Sequence, residues 1–239
     1  EASCRALVAK GGKVALLDRD EKLGEQVANS LGSDRVAFIK CDVMSEESIT
    51  AAVEAAEARF GRIDGNLNCA GGGAGMSVVN RKGKPMDMKL FESVMRLNVL
   101  GTVSVLSKCC AKMVTNTPDE NGERGCVINV ASIAAFDGQN GQSAYSAAKA
   151  AIVGMALPLA RDLGSRGVRV NTIAPGVFDT QLTKPFYGPE SKLGRVGESL
   201  AKQQVFPNTR FGDPKEFAHL VCAVFENVMF NAEVIRLDA

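Results

Sequence analysis

Short β-branched runs alternate with longer segments of helical period from one end of this chain to the other, and that alternation limits the folds open to it. The short runs are Val14–Asp18, Val36–Cys41, Ile63–Cys69, Val127–Ala131, Val168–Ile173 and Val234–Leu237. Their short continuous apolar character suits strands covered on both faces of a parallel sheet. The periodic segments predict helices over Asp20–Leu31, Ser45–Phe60, Lys89–Val114, Ser143–Leu163 and Pro214–Glu226. Ser45 with Glu46 and Glu47 fits a helix N-terminus, because the hydroxyl accepts an unpaired backbone N–H and the acids meet the positive end of the helix dipole. Gly32 and Gly61 stop the first two helices, and Pro158 is expected to kink or shorten the one that contains it. Strand and helix in alternation describe a doubly wound, Rossmann-type α/β fold with a mostly parallel sheet. No Pro- or Ser-rich linker divides the chain, so residues 1–239 read as a single domain.

Composition removes several classes of function. A single histidine, His219, excludes a His-rich metal site, and its place between Ala218 and Leu220 inside a helix suits a core or interface residue better than a catalyst. With 28 basic and 27 acidic side chains and no basic block longer than Arg81-Lys82-Gly83-Lys84, charge alone does not predict a nucleic-acid surface. No stretch approaches the ~18 uninterrupted apolar residues of a membrane span, so none is expected. The cysteines number seven, an odd count with no C-x-x-C pair, which fits buried free thiols in a reducing compartment.

The residues that carry chemistry lie near strand ends. Loops over residues 71–86 and 175–191 follow strands, and ligands of open α/β sheets sit beyond the carboxyl ends of strands. Tyr145 and Lys149 stand at i and i+4, on one face of the helix that begins near Ser143. An ammonium beside a phenol favours phenolate, so this pairing is expected to pull Tyr145 down from its usual range and let it exchange a proton at working pH. Ser132 ends the strand before it and can reach over the same crevice to a substrate oxygen. Asp18 ends the run Val14–Asp18; its carboxylate can accept both hydroxyls of an adenosine ribose and would repel a 2′-phosphate, which favours NAD, although the adjacent Arg19 could receive that phosphate.

Together with Asn68-Cys69-Ala70-Gly71, Asn98 within Leu97-Asn98-Val99-Leu100-Gly101, Asp42-Val43, and Pro175-Gly176 with Thr180 beyond, this set resembles the short-chain dehydrogenase/reductase family over essentially the whole chain. The resemblance implies hydride transfer between a nicotinamide and a secondary alcohol or ketone. Tyr145 would be the general base in oxidation, Lys149 would hold the nicotinamide ribose, Ser132 would orient the substrate oxygen, and Asn98 would hold a water of the proton relay. It further implies cofactor contacts at Asp18, Asp42, Val43, Asn68, Ala70, Gly71, Tyr145, Lys149, Pro175, Gly176 and Thr180. Substrate contacts would come from Ser132, Gln139, Tyr145, Leu182 and Phe186, the last two in an apolar lid with Phe178 and Tyr187. No metal is implied.

The insertion Val78–Asp87, the segment Asn116–Gly125 and the tail from Gly212 to Asp238 are similar to the branch of the family that oxidises 3-hydroxyacyl-CoA thioesters and hydroxysteroids. That similarity implies acyl-CoA or steroid substrates, a homotetramer and a mitochondrial location. Alternatives are a 3-oxoacyl carrier-protein reductase, and a non-redox scaffold subunit with tRNA-processing protein partners. Arg81, Lys82 and Lys84 read either as a solvated turn or as a contact for CoA phosphates. Gly71-Gly72-Gly73-Ala74-Gly75 reads as close backbone approach to the nicotinamide half of the cofactor. A chain of this family opens with a strand and a Thr-Gly-x-x-x-Gly-x-Gly turn, whereas Glu1–Lys10 reads as the helix after that turn. The first strand and the pyrophosphate cradle are therefore expected to be missing, with weak NAD binding and low stability as the expected result.

Overall fold

The computed structural model describes residues 1–188, 192–202, 204–206 and 210–238. In chain order these form α1 (Ala2–Ala9), β1 (Val14–Asp18), α2 (Glu21–Leu31), β2 (Val36–Lys40), α3 (Glu46–Phe60), β3 (Gly65–Asn68), α4 (Met88–Met95), α5 (Gly101–Met113), β4 (Gly125–Val130), α6 (Ser143–Gly164), β5 (Val168–Pro175), α7 (Arg195–Ala201), α8 (Pro214–Glu226) and β6 (Val234–Leu237). Short 3₁₀ turns lie at Ile133–Ala135 and Gln181–Phe186. The predicted loop from Pro175 is thus partly helical, and its far end at Ser191 lies outside the described residues.

The pairings among β1 to β6 are all parallel. The strands form two sheets, β1 with β2 and β3-β4-β5-β6 in that order, and β1 and β3 are not hydrogen-bonded to each other. Helices on both faces join the two sheets. On one face Leu17 and Ile39 of the smaller sheet share a core with Ile49, Ala52 and Val53 of α3, Val105, Leu106 and Cys109 of α5, and Val127, Val168 and Val170 of the larger sheet. On the other face α1 packs on α8, tied by a Lys10–Glu226 ion pair of 2.6 Å. A second core there joins Cys126, Ile128 and Ile173 to Val221 and Val224 of α8.

Local chemistry accounts for the helix starts. Asp20 accepts the Leu23 N–H ahead of α2, and Ser45 accepts the Ser48 N–H ahead of α3. Gly61 closes α3 in the left-handed conformation, φ 85°, that a side chain would disfavour.

The helices depart from expectation at the π-turn. The segment predicted as one helix over Lys89–Val114 is broken by a π-helical turn at Arg96–Leu100, where the Gly101 N–H bonds the Arg96 carbonyl. Pro158 does not end α6, which runs through it for 22 residues. The carbonyl that its ring would crowd belongs to Gly154, which has no side chain to pin that turn. Finally, residues Met88–Met113 and Ser143–Gly164 are long and apolar enough to cross a membrane by length and composition. Both flank the sheets, with Val94, Val105, Leu106, Ile152 and Ala156 buried. His219 is exposed on α8 rather than set in the core. Six cysteines are buried and Cys69 is exposed, all of them free.

Candidate active site

The carboxyl ends of β1, β2, β3, β4 and β5 deliver Asp18, Asp42, Ala70, Ser132 and Pro175 to one edge of the sheets. Asp18 is exposed, and one carboxylate oxygen accepts the Asp20 N–H at 3.0 Å, which leaves the other open to solvent. Asp42 is held similarly, accepting from the Met44 N–H at 2.9 Å while its own N–H donates to Ser48 at 2.9 Å. Val43 lies against α5 at Gly101, where an added Cβ would come within 2.9 Å of the Val43 carbonyl.

Ser132 is half-buried at the end of β4, its hydroxyl accepting the Ala134 N–H at 3.1 Å. Tyr145 comes from the first turn of α6, and a hydrogen bond with Ser132 favours its ionised form. Burial outweighs that effect and holds the phenol above its usual range. This reverses the expected direction. The Lys149 ammonium lies 5.7 Å from the centre of the Tyr145 ring and donates to the Val130 carbonyl at 2.8 Å, so it does not draw the phenol down. Lys149 itself is buried, and desolvation lowers its pKa from 10.5 to about 8.

Asn98 is fully buried on the π-turn, where the extra residue rotates its amide toward the loop after β3. Its Nδ2 donates to the Gly72 carbonyl at 2.7 Å and the Val94 carbonyl at 2.9 Å, while its Oδ1 accepts the Gly72 N–H at 3.1 Å. Both amide hydrogens are spent. Its side chain therefore clamps the loop. Beneath that loop Gly71 approaches so closely that a Cβ would stand 2.6 Å from Asn98 Oδ1 and 3.2 Å from Lys149 Nζ. At Gly73 a Cβ would stand 2.9 Å from the Tyr145 ring. These approaches explain two of the glycines.

Asn68 is anchored within the sheet by its side chain. Its amide donates to Asn66 at 2.8 Å and to Asn129 at 2.9 Å and accepts from Asn66 at 3.2 Å, so the side chain binds strand to strand and leaves only its main chain for a ligand. Asn66, Asn129 and the Val130 carbonyl carry no motif of their own, and only the N-x-N alternation of β3 hints that two amides share a face.

Beyond β5, the Gly176 N–H bonds the Leu237 carbonyl at 2.9 Å, and the exposed Thr180 donates its N–H to Thr183 at 2.9 Å. Leu182 is exposed. Phe186 is half-buried, and its ring meets Phe211 edge-on at 6.3 Å, as Tyr187 does at 5.7 Å. Phe178 packs on Phe217 at 6.1 Å. Gln139 is exposed in the turn before α6, its N–H held by Gln142 at 2.9 Å. Arg81, Lys82 and Lys84 cap an exposed hairpin joined at Val79 and Pro85, in which Asn80 accepts from the Lys82 and Lys84 N–H groups at 2.8 and 3.1 Å.

A phenol, a serine hydroxyl and a buried ammonium around one crevice can exchange a proton with an alcohol oxygen. The crevice also suits the nicotinamide half of a dinucleotide cofactor. The Lys149 ammonium, 5% exposed, has one hydrogen-bond acceptor among the described residues for its three hydrogens, and bare glycine backbone runs beside it.

Residues 1–190 match the family model described as short chain dehydrogenase. The chain is 44% identical to 3-hydroxyacyl-CoA dehydrogenase type-2 of Drosophila melanogaster, over 99% of this chain and 90% of that protein. It is 45% identical to the Homo sapiens protein of the same name, over 99% and 88% respectively. A solved structure of 3-hydroxyacyl-CoA dehydrogenase type-2 from Mycobacterium avium superposes with a TM-score of 0.91 at 39% identity, covering 99% of this chain and 89% of that one. By its sequence, its α/β fold and the constellation at its strand ends, the chain belongs to the short-chain dehydrogenase family.

Proposed function

We propose that this chain is an NAD-dependent 3-hydroxyacyl-CoA dehydrogenase that interconverts a 3-hydroxyacyl-CoA thioester and its 3-oxo form. The observation that carries the reading is the meeting of Ser132 and Tyr145 beside the buried ammonium of Lys149. The relatives named 3-hydroxyacyl-CoA dehydrogenase type-2, matched over 99% of this chain, support the substrate class.

In this reading Ser132 holds the substrate oxygen and Tyr145 accepts the hydroxyl proton during oxidation, returning it in the reverse direction. Lys149 would offer the ammonium hydrogens that Val130 leaves over to the nicotinamide ribose, and Asn98 is a positioning residue that fixes the Gly72 loop beneath the Tyr145 ring. Asp18 would hold the adenosine ribose; Asp42 and Val43 the adenine; Ala70, Gly71, Tyr145 and Lys149 the nicotinamide ribose and its approach; and Pro175, Gly176 and Thr180 the nicotinamide end. The dinucleotide, when bound, supplies the hydride acceptor and donor. Leu182 and Gln139 border the acyl side.

The test is NADH formation from 3-hydroxybutyryl-CoA by the wild type and Tyr145→Phe. The variant is expected to lose about 10²- to 10⁴-fold in kcat while its NADH fluorescence titration is unchanged. Undiminished turnover would remove Tyr145 from its assigned role.

A further inference from the structure

We propose that Gly75 sets the width of the substrate channel beside Tyr145, its missing side chain admitting a long or bulky substrate body. From Gly71 to Met76 exposure alternates: Gly71, Gly73 and Gly75 are exposed, Gly72 and Ala74 are half-buried, and Met76 is buried. A period of two marks extended backbone, with one side turned to the crevice and the other to the protein. Ala74 and Met76 pack with Val94, Ala144 and Ala148 on the protein side. On the crevice side Gly71 abuts Lys149, and Gly73 abuts the Tyr145 ring. Contact with the site machinery explains both glycines.

Gly75 has neither that explanation nor a conformational one. A Cβ there would meet nothing within 4 Å, and its φ is not positive. Extended chain advances about 3.3 Å per residue, so Gly75 lies about 6 to 7 Å beyond Gly73, the next crevice-facing position past the phenol ring. The Met76 N–H bonds the Gly141 carbonyl at 2.8 Å, which fixes this end of the segment against the turn that enters α6. That bond holds the segment in place, and its surface at Gly75 is bare. The same side of the segment borders the reacting groups at its other end, where the buried Lys149 ammonium lies against Gly71. The inference rests on the 3-hydroxyacyl-CoA reading and deepens it. The chain selects substrates by the room beside Gly75, and longer acyl bodies use that room while the shortest do not.

The test compares the full chain with its Gly75→Ala and Gly75→Val variants on 3-hydroxybutyryl-CoA and 3-hydroxypalmitoyl-CoA. Gly75→Val is expected to lose about tenfold or more in kcat/KM on the long thioester and about twofold or less on the short one, with Gly75→Ala between. Equal losses on both substrates, or none on either, would overturn the proposal. Thermal melting and NADH titration identify a variant that fails to fold, in which case Gly75→Ala alone carries the comparison. If the wild type oxidises neither thioester, the substrate class falls instead. The same variants are then compared on a small secondary alcohol and a steroid alcohol, where a size-selective loss supports the channel and its absence refutes it.

Discussion

Replacing Lys149 by Met should stabilise the fold and abolish its chemistry. The ammonium is 5% exposed and donates to one carbonyl, Val130 at 2.8 Å. Burial brings its pKa from 10.5 to about 8. At about 1.4 kcal/mol per pH unit that difference is about 3 kcal/mol set against folding at neutral pH. Met keeps much of the aliphatic stem and removes the charge, but it leaves the Val130 carbonyl without that donor, returning about 1 kcal/mol. The net gain is about 2 kcal/mol at pH 7, or a rise in Tm of about 4 to 8 °C for a chain of this size. The pH dependence is specific. Unfolded Lys149 keeps its proton up to about 10.5 while folded Lys149 releases it near 8, so between these values the unfolded wild type binds more protons. Wild-type stability must therefore rise with pH across that window relative to the variant. The variant's advantage is full below about pH 8, passes through zero inside the window and becomes a deficit of about 1 kcal/mol by about 10.5, where neutral Lys149 still donates to Val130. Denaturant unfolding at a series of pH values measures this, alongside a turnover assay expected to fall about 10²- to 10⁴-fold. A variant less stable than wild type at pH 7, or an advantage that does not narrow as pH rises, would refute the reasoning.

Arg169 makes the opposite case. It is buried at the start of β5, pairs with Glu123 through two bonds of 2.9 and 3.0 Å, and donates to the carbonyls of Val224, Phe225 and Phe230 at 2.9, 3.0 and 2.8 Å, closing the C-terminal end of α8. Arg169→Met is expected to cost about 3 to 5 kcal/mol in urea unfolding with kcat little changed under conditions where the variant is folded, because a half-buried carboxylate and several carbonyls lose their donor. At Asp18, replacement by Ser removes a charged acceptor from the position assigned to the adenosine ribose. KM for NAD is expected to rise about ten- to a hundredfold and the preference over NADP to shrink, as steady-state kinetics with both cofactors would report.

What the sequence makes legible here follows from how local each cause is. The caps at Asp20 and Ser45 and the left-handed turn at Gly61 act within a few residues, and the helices they bound fall where the sequence predicts. The π-turn at Arg96–Leu100 has no Gly or Pro to announce it, and its amide is held by Gly72, far away in the chain. Strand β5 runs on to Pro175 because Leu237 pairs there, a partner from the other end of the sequence. The Asn66, Asn68 and Asn129 bonds depend in the same way on strand register. The candidate site divides along the same line. That Tyr145 and Lys149 share a face follows from helical spacing, and that Ser132 joins them follows from its place at a strand end. The direction in which each titrates depends on burial, which spacing does not contain. A pairing that suggests an acidified phenol in isolation becomes, inside the fold, a phenol held above its usual range beside a lysine lowered to about 8. The fold rather than the motif thus sets how each of the two groups titrates.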